Sequence, residues 1–287
     1  MGLVLFLAFS ATPGVSPAVA AQEKRAPKRP AKKKTAPAAK PVDAAVPFRA
    51  GETLEYAAQW NKFVTAATIK VTVLGCSAFY GRNAWHFQAT ARTLDLVRLL
   101  YPLDDQFDSY TEATSLSSMQ YEAYIREQSK HQDLIVPMAS APAPAKGAGK
   151  VRGKAGSNST PNNPGQQISR GDTHVYMVLP GTRDPLGLLY SLRAQDWQRE
   201  PAARFPVFDG RHYYDVAAQK ESVGNEVQVA AGSFHVTRVA LRVFEAGHEM
   251  PNVRFWVSLA QDAAHTPVLI EAEVPFGTVR VEATTIH

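Results

Sequence analysis

The sequence predicts a mainly β protein: a strongly curved antiparallel sheet, a half-barrel or open barrel, packed around one short helix. Three observations carry this. From Phe48 onward, apolar and polar residues alternate with a period of two over most of the chain, as in strands with one buried and one wetter face. Turn residues such as Gly81-Arg82-Asn83, Asp209-Gly210, Gly224-Asn225 and Ala231-Gly232 punctuate these runs. The one clear helical period lies in Arg183–Arg193, where Asp184 suits the N-cap and Pro185 the first helical position. Leu186, Leu189, Tyr190 and Arg193 form one stripe of that helix, and Leu188 with Leu192 a second beside it. A short helix so apolar around its girth has to be buried.

Taken in order, residues 1–21 read as a secretory signal. The apolar run LVLFLAF from Leu3 leads to small residues, with cleavage expected after Ala20 or Ala21. That run is far shorter than the roughly 20 residues needed to span a bilayer. No cysteine stands at the cleavage site, so the expectation is a periplasmic or otherwise exported protein that is not lipid-anchored. Residues 22–46 are Lys, Pro and Ala with almost nothing to bury, a disordered tether. As a cationic segment it is suited to touch an anionic envelope surface; as a plain solvated spacer it needs no partner.

Residues 47–287 read as a single β domain. Leu54, Tyr56, Ala58 and Trp60 share one strand face; Ala67, Ile69, Val71 and Val73 share the next; Trp85, Phe87, Ala89 and Ala91 a third. Thr93–Tyr101 breaks the alternation and reads as a short helix. Strands resume near Gln106–Glu112 and Met119–Gln128. Residues 139–168 lose all periodicity and read as a disordered insertion between two strands, because Asp133–Met138 and Thr173–Leu179 flank them. Beyond the 183–193 helix, Phe205–Phe208 and Arg211–Ala217 flank Asp209-Gly210 as a hairpin, and four further strands reach the C-terminus. About a dozen strands in roughly 210 residues fit one all-β unit.

Charge placement argues against specific nucleic-acid binding. The chain holds 31 basic and 26 acidic residues. Residues 1–40 contribute eight Lys and Arg but only Glu23, and 139–168 contribute four with no acid, so the remainder is net acidic. Cys76, the single cysteine, cannot form an intrachain disulfide. Strand parity places it beside Thr72 and Leu74, as a small packed side chain.

The landmarks in this order resemble exported bacterial proteins of the domain of unknown function 3108 family. The opening looks like Phe48-x-x-Gly51-Glu52-x-Leu54-x-Tyr56 with Trp60; the middle like Tyr101-x-x-x-Asp105-x-Phe107-x-Ser109, then Asp184-x-x-x-Leu188-x-Tyr190-x-Leu192-Arg193. Gly224-x-Glu226, Ala231-Gly232-x-Phe234, Trp256-Val257-Ser258, Pro267-Val268 and Phe276-Gly277 complete the pattern. Ala260-Gln261-Asp262 departs from it, since the family tends to place Asp directly after Trp-hydrophobic-Ser. The resemblance implies an envelope location and a mainly β fold, and it transfers no catalytic residues.

Chemistry-bearing patterns are sparse. Asp104, Asp105 and Asp108 form the densest acidic cluster and supply the oxygens that Ca²⁺ takes. The EF-hand spacing is absent, and on a strand Asp105 and Asp108 point to opposite faces; Asp105 is expected to pin a turn or to pair with an arginine such as Arg193. The eight histidines lie apart, and neither Ser191 nor Ser258 has a Gly-x-Ser-x-Gly elbow. No cofactor is implied. The aromatics offer a sharper expectation: an apolar groove between sheet and helix, lined by Tyr56, Trp60, Trp85, Phe87, Leu188, Tyr190, Leu192 and Trp256, that accepts a lipid or other apolar ligand. The reading is thus a non-enzymatic envelope protein binding such a ligand or an envelope protein partner. Its rivals are a structural or interaction module with a filled core, and a hydrolase whose site is not visible in the sequence.

Overall fold

The structure, a computed structural model, describes residues 46–61, 64–128, 130–140, 167–170, 173–275 and 277–287. The signal, all but the last residue of the tether, and residues 141–166 lie outside these. In the first half of the chain, β1 (Thr53–Trp60), β2 (Val64–Phe79) and β3 (Arg82–Thr93) lead through α1 (Asp95–Leu100) to β4 (Asp104–Glu112), β5 (Ser118–Glu127) and β6 (Lys130–Ser140). β7 (Gln167–Arg170) and β8 (Thr173–Val178) precede α2 (Pro185–Ala194). The second half runs β9 (Ala202–Phe208), β10 (Tyr213–Val229), β11 (Gly232–Glu245), β12 (His248–Ala260), β13 (Pro267–Val274) and β14 (Gly277–Ile286).

Among the described residues these strands form one sheet in the order β7-β8-β6-β5-β4-β3-β2-β1-β14-β13-β12-β11-β10-β9. Neighbours pair antiparallel apart from the parallel β6–β8 pair. The two halves meet through β1 and β14, where Thr53 and His287 exchange backbone hydrogen bonds of 3.2 and 2.9 Å. The sheet curls into a nearly closed barrel, and the segment before α2 draws its ends together. Ser118 N–H donates to the Thr182 carbonyl at 2.9 Å on one side. On the other, Arg183 N–H donates to Pro206 and accepts from Phe208 N–H through its carbonyl, both at 2.8 Å.

Closure also needs Gly210, in the β9–β10 loop. Its φ is +93°, and a Cβ there would stand 2.6 Å from Val136 and 2.8 Å from Leu134 on β6. The loop differs from the expected two-residue turn: register runs Tyr213 against Phe208, with Asp209 accepting the N–H groups of Arg211 and His212. An Asx turn thus replaces paired positive φ angles.

The barrel core is the alternating face predicted from Phe48 onward, with Leu54, Tyr56, Phe87, Phe107, Val207, Val257 and Ala283 nearly or wholly buried. Two bulges change expected positions. Register shifts at Gly75, φ +144°, so Leu74 is 48% exposed while Cys76 packs against the core. The expected side-by-side placement of Leu74 and Cys76 fails because the bulge reverses the parity. Gly224 likewise sits in a bulge within β10 rather than ending a strand. β6 extends through Ser140 and β7 begins at Gln167, so the first and last residues of the 139–168 stretch are strand.

Candidate ligand groove beside the buried helix

α2 lies inside the curled sheet, against β3, β4 and β9. Asp184 is its N-cap, as the sequence predicts: Oδ1 accepts Gly187 N–H at 2.8 Å, and Pro185 occupies the first turn. The other oxygen accepts the hydroxyls of Ser109 on β4 at 2.5 Å and Ser118 on β5 at 2.6 Å. One carboxylate therefore caps the helix and pins it to the wall. Burial pushes the Asp184 pKa up while these hydrogen bonds oppose the shift. Every residue from Pro185 to Arg193 is buried, and a Cβ on Gly187 would lie 3.0 Å from Thr111 and 3.1 Å from Ser118. A larger residue there would have to push these neighbours aside, so the glycine lets the helix lie close to β4 and β5.

At the far end of α2, Arg193 is wholly buried and forms a two-pronged pair with Glu52, at 2.5 and 2.9 Å. Its remaining reach goes to the Ala264 carbonyl, at 2.9 and 3.2 Å. The guanidinium also sits over the rings of Phe48 and Tyr190, at 5.5 and 5.2 Å. Glu52, rather than Asp105, is the partner of Arg193.

The proposed groove residues divide into two sets. Tyr56, Trp85, Phe87, Leu188, Tyr190 and Leu192 gather in the core around α2. Phe87 and Tyr190 stack with centroids 3.6 Å apart, and Phe48 packs edge-on against Trp85, Phe87 and Tyr190 at 5.2, 5.3 and 4.9 Å. Leu188 is 3% exposed and Leu192 not at all. The Tyr56 hydroxyl donates to the Pro267 carbonyl at 2.9 Å. Trp60 is half-buried at the edge of this core. Trp256 belongs elsewhere: its neighbour Phe255 takes the inner face, so Trp256 is half-buried on the outer face, with Arg238 over its ring at 5.2 Å. Adjacent strand residues cannot share a face, and the expected membership of Trp256 fails on that rule. Phe48 and Arg193 complete the cluster, although sequence reasoning left both out of the groove.

The three aspartates do not converge either. Asp104 pairs with Arg98 at 2.6 Å, and Asp108 accepts from His86, Gln88 and Gln106 at 2.7, 3.0 and 2.7 Å. These donors hold the Asp108 carboxyl below its ordinary pKa against the opposing cost of burial. Asp105 faces inward at 2% exposure; one oxygen accepts Arg126 N–H at 2.7 Å, and the other is buried without a partner among the described residues. Burial, with the nearby charge of Glu127, pushes its pKa up to about 6. Among the described residues no group of three or more His, Cys, Asp and Glu is arranged to hold a metal ion.

A depression of about 650 Å³ opens beside the end of α2, lined by polar groups including Gln195, Asp196, Gln198, Gln261, Asp262 and His265. Ser191, on the buried helix, accepts from Arg183 Nε at 2.7 Å and donates to the Gly187 carbonyl at 2.9 Å. Both bonds are structural. No described helix is long and apolar enough to cross a membrane.

No curated protein matches the chain in sequence. Among solved structures it is similar to a β-barrel-like protein of domain of unknown function 1849 from Brucella abortus, at 10% identity and a TM-score of 0.48, covering 83% of this chain and 98% of that one. It is also similar to a protein of Bacteroides fragilis described as exported and of YmcC-like fold, at 8% identity and a TM-score of 0.33, covering 84% and 98%. The motifs read along the sequence meet in space: Glu52 with Arg193, Ser109 with Asp184, and Tyr56 with Pro267. Residues 55–284 match the DUF3108 family, proteins of unknown function, and the chain belongs to that family.

Proposed function

We propose that this is an exported, non-enzymatic envelope protein whose barrel is a filled scaffold, presenting its outer surface and loops to a partner rather than carrying an acyl chain beside the helix. One observation carries the reading: α2 occupies the concavity where a ligand would lie. Leu188 and Leu192 are 3% and 0% exposed, and the Phe87–Tyr190 stack at 3.6 Å occupies the space between helix and wall. Export is supported by the apolar run and small residues of 1–21. The non-enzymatic reading is supported by the engagement of Asp184, Ser191 and Arg193 in caps, back-bonds and an ion pair.

Titration with a fluorescent fatty acid tests the filled scaffold. The expected result is no saturable binding, and no change when Leu188 is substituted by Ile. Saturable binding at a one-to-one ratio, lost on enlarging the side chain at Leu188, overturns it. Fractionation of cells producing the chain with its own first 21 residues tests export, with recovery of shortened chain outside the cytoplasm as the expected result.

A further inference from the structure

The helix α1, between β3 and β4, presents apolar side chains to solvent. Leu96, Leu99 and Leu100 are 75%, 80% and 80% exposed, the three most exposed large apolar side chains among the described residues. The helix is nonetheless firmly held. Leu94 N–H donates to the Ala66 carbonyl at 3.1 Å, and Arg98 reaches back to Asp104 at 2.6 Å. The Tyr101 hydroxyl donates to Glu127 at 2.8 Å, and Gln128 N–H to the Pro102 carbonyl at 2.8 Å. A short prong fastened on both sides, with leucines at its tip and Arg and Tyr at its base, has the layering of a segment seated at a bilayer interface.

We propose that α1 is a membrane-surface anchor whose Leu96, Leu99 and Leu100 enter the apolar edge of a lipid bilayer. Area favours a bilayer over a protein partner. Three leucines at roughly 60–120 Å² each fall well short of the roughly 800 Å² that each side of a stable protein interface buries. A bilayer needs no complementary shape. Around the prong, Arg92 and Arg98 pair with Asp104 and Arg126 pairs with Asp133, so apolar insertion, and not charge, is the main attraction. This distinguishes α1 from the basic tether: Val46, where the described chain begins, lies beside the end of α2. The anchor does not depend on whether the barrel takes a ligand.

Co-sedimentation of the purified exported chain with phosphatidylethanolamine/phosphatidylglycerol vesicles, at low and high salt, tests this. High salt removes tether binding by screening and leaves the leucine contribution. The expected result is vesicle binding that persists at high salt and falls at least about tenfold in the L96S/L99S/L100S variant, whose circular dichroism and Tm match the parent. A Leu99→Trp variant should shift its emission to the blue on adding vesicles. Wild-type binding that vanishes at high salt overturns the proposal. So does an unmoved Leu99→Trp emission. Unchanged vesicle binding with an altered oligomeric state in the triple variant would make the patch a contact between copies and likewise overturn it.

Discussion

Two buried charges set the energetics at the scale of single residues. Arg193 and Glu52 lie 141 positions apart, and each is buried at 0% and 8% exposure. Removing one partner strands the other in a low-dielectric site, so Arg193→Met should cost about 3–5 kcal/mol in urea denaturation. The Arg193→Met/Glu52→Leu double variant should recover part of that loss. Asp105 acts in the opposite sense. Its folded pKa is raised to about 6, so its contribution is present below the unfolded value, near 4, and is lost as pH rises through about 6. Asp105→Asn keeps the acceptor for Arg126 N–H and cannot ionise. Relative to wild type it should gain about 1–3 kcal/mol at pH 8 and close to nothing at pH 4, read from denaturation midpoints. A gain equal at both pH values would contradict the assignment. Neither environment was legible in the sequence: Arg193 and Asp105 were both marked, but a pairing across 141 residues leaves no local signal.

At the scale of elements, α2 was the most legible part because its cap, its proline and its apolar girth are all local. Asp184, Pro185 and the buried face appear where they are expected. What the local pattern omitted is how close the helix approaches the wall. Gly187→Ala should stabilise an exposed helix by about 1 kcal/mol; here the new Cβ would meet Thr111 and Ser118 at 3.0 and 3.1 Å. The expected outcome is a net loss of about 1–2 kcal/mol, checked by thermal unfolding. The strands were legible through their alternation, and they misled wherever a bulge interrupts the count. Gly75 turns Cys76 toward the core, and Gly224 continues β10 instead of ending it. α1 was recognised as a break in alternation, but exposure decides its role, and exposure belongs to the assembled fold.

At the scale of the whole molecule, the chain builds two runs of antiparallel strands and places α2 between them. β1 and β14 join the runs on one side, and the segment before α2 draws them together on the other. The motifs that carry the family resemblance are the contacts of this assembly: cap to wall, arginine to Glu52, tyrosine to the first residue of β13. They specify a fold. Six of the residues drawn from the aromatics as a groove lie in the core, but alternation alone cannot distinguish a lined cavity from a filled one. The central claim is that α2 fills the concavity. Native mass spectrometry of the protein, purified without detergent, tests it most directly. The account predicts the mass of the chain alone, unchanged by organic extraction. A stoichiometric adduct in the lipid mass range, removed by that extraction and restored by adding the extract back, would contradict it.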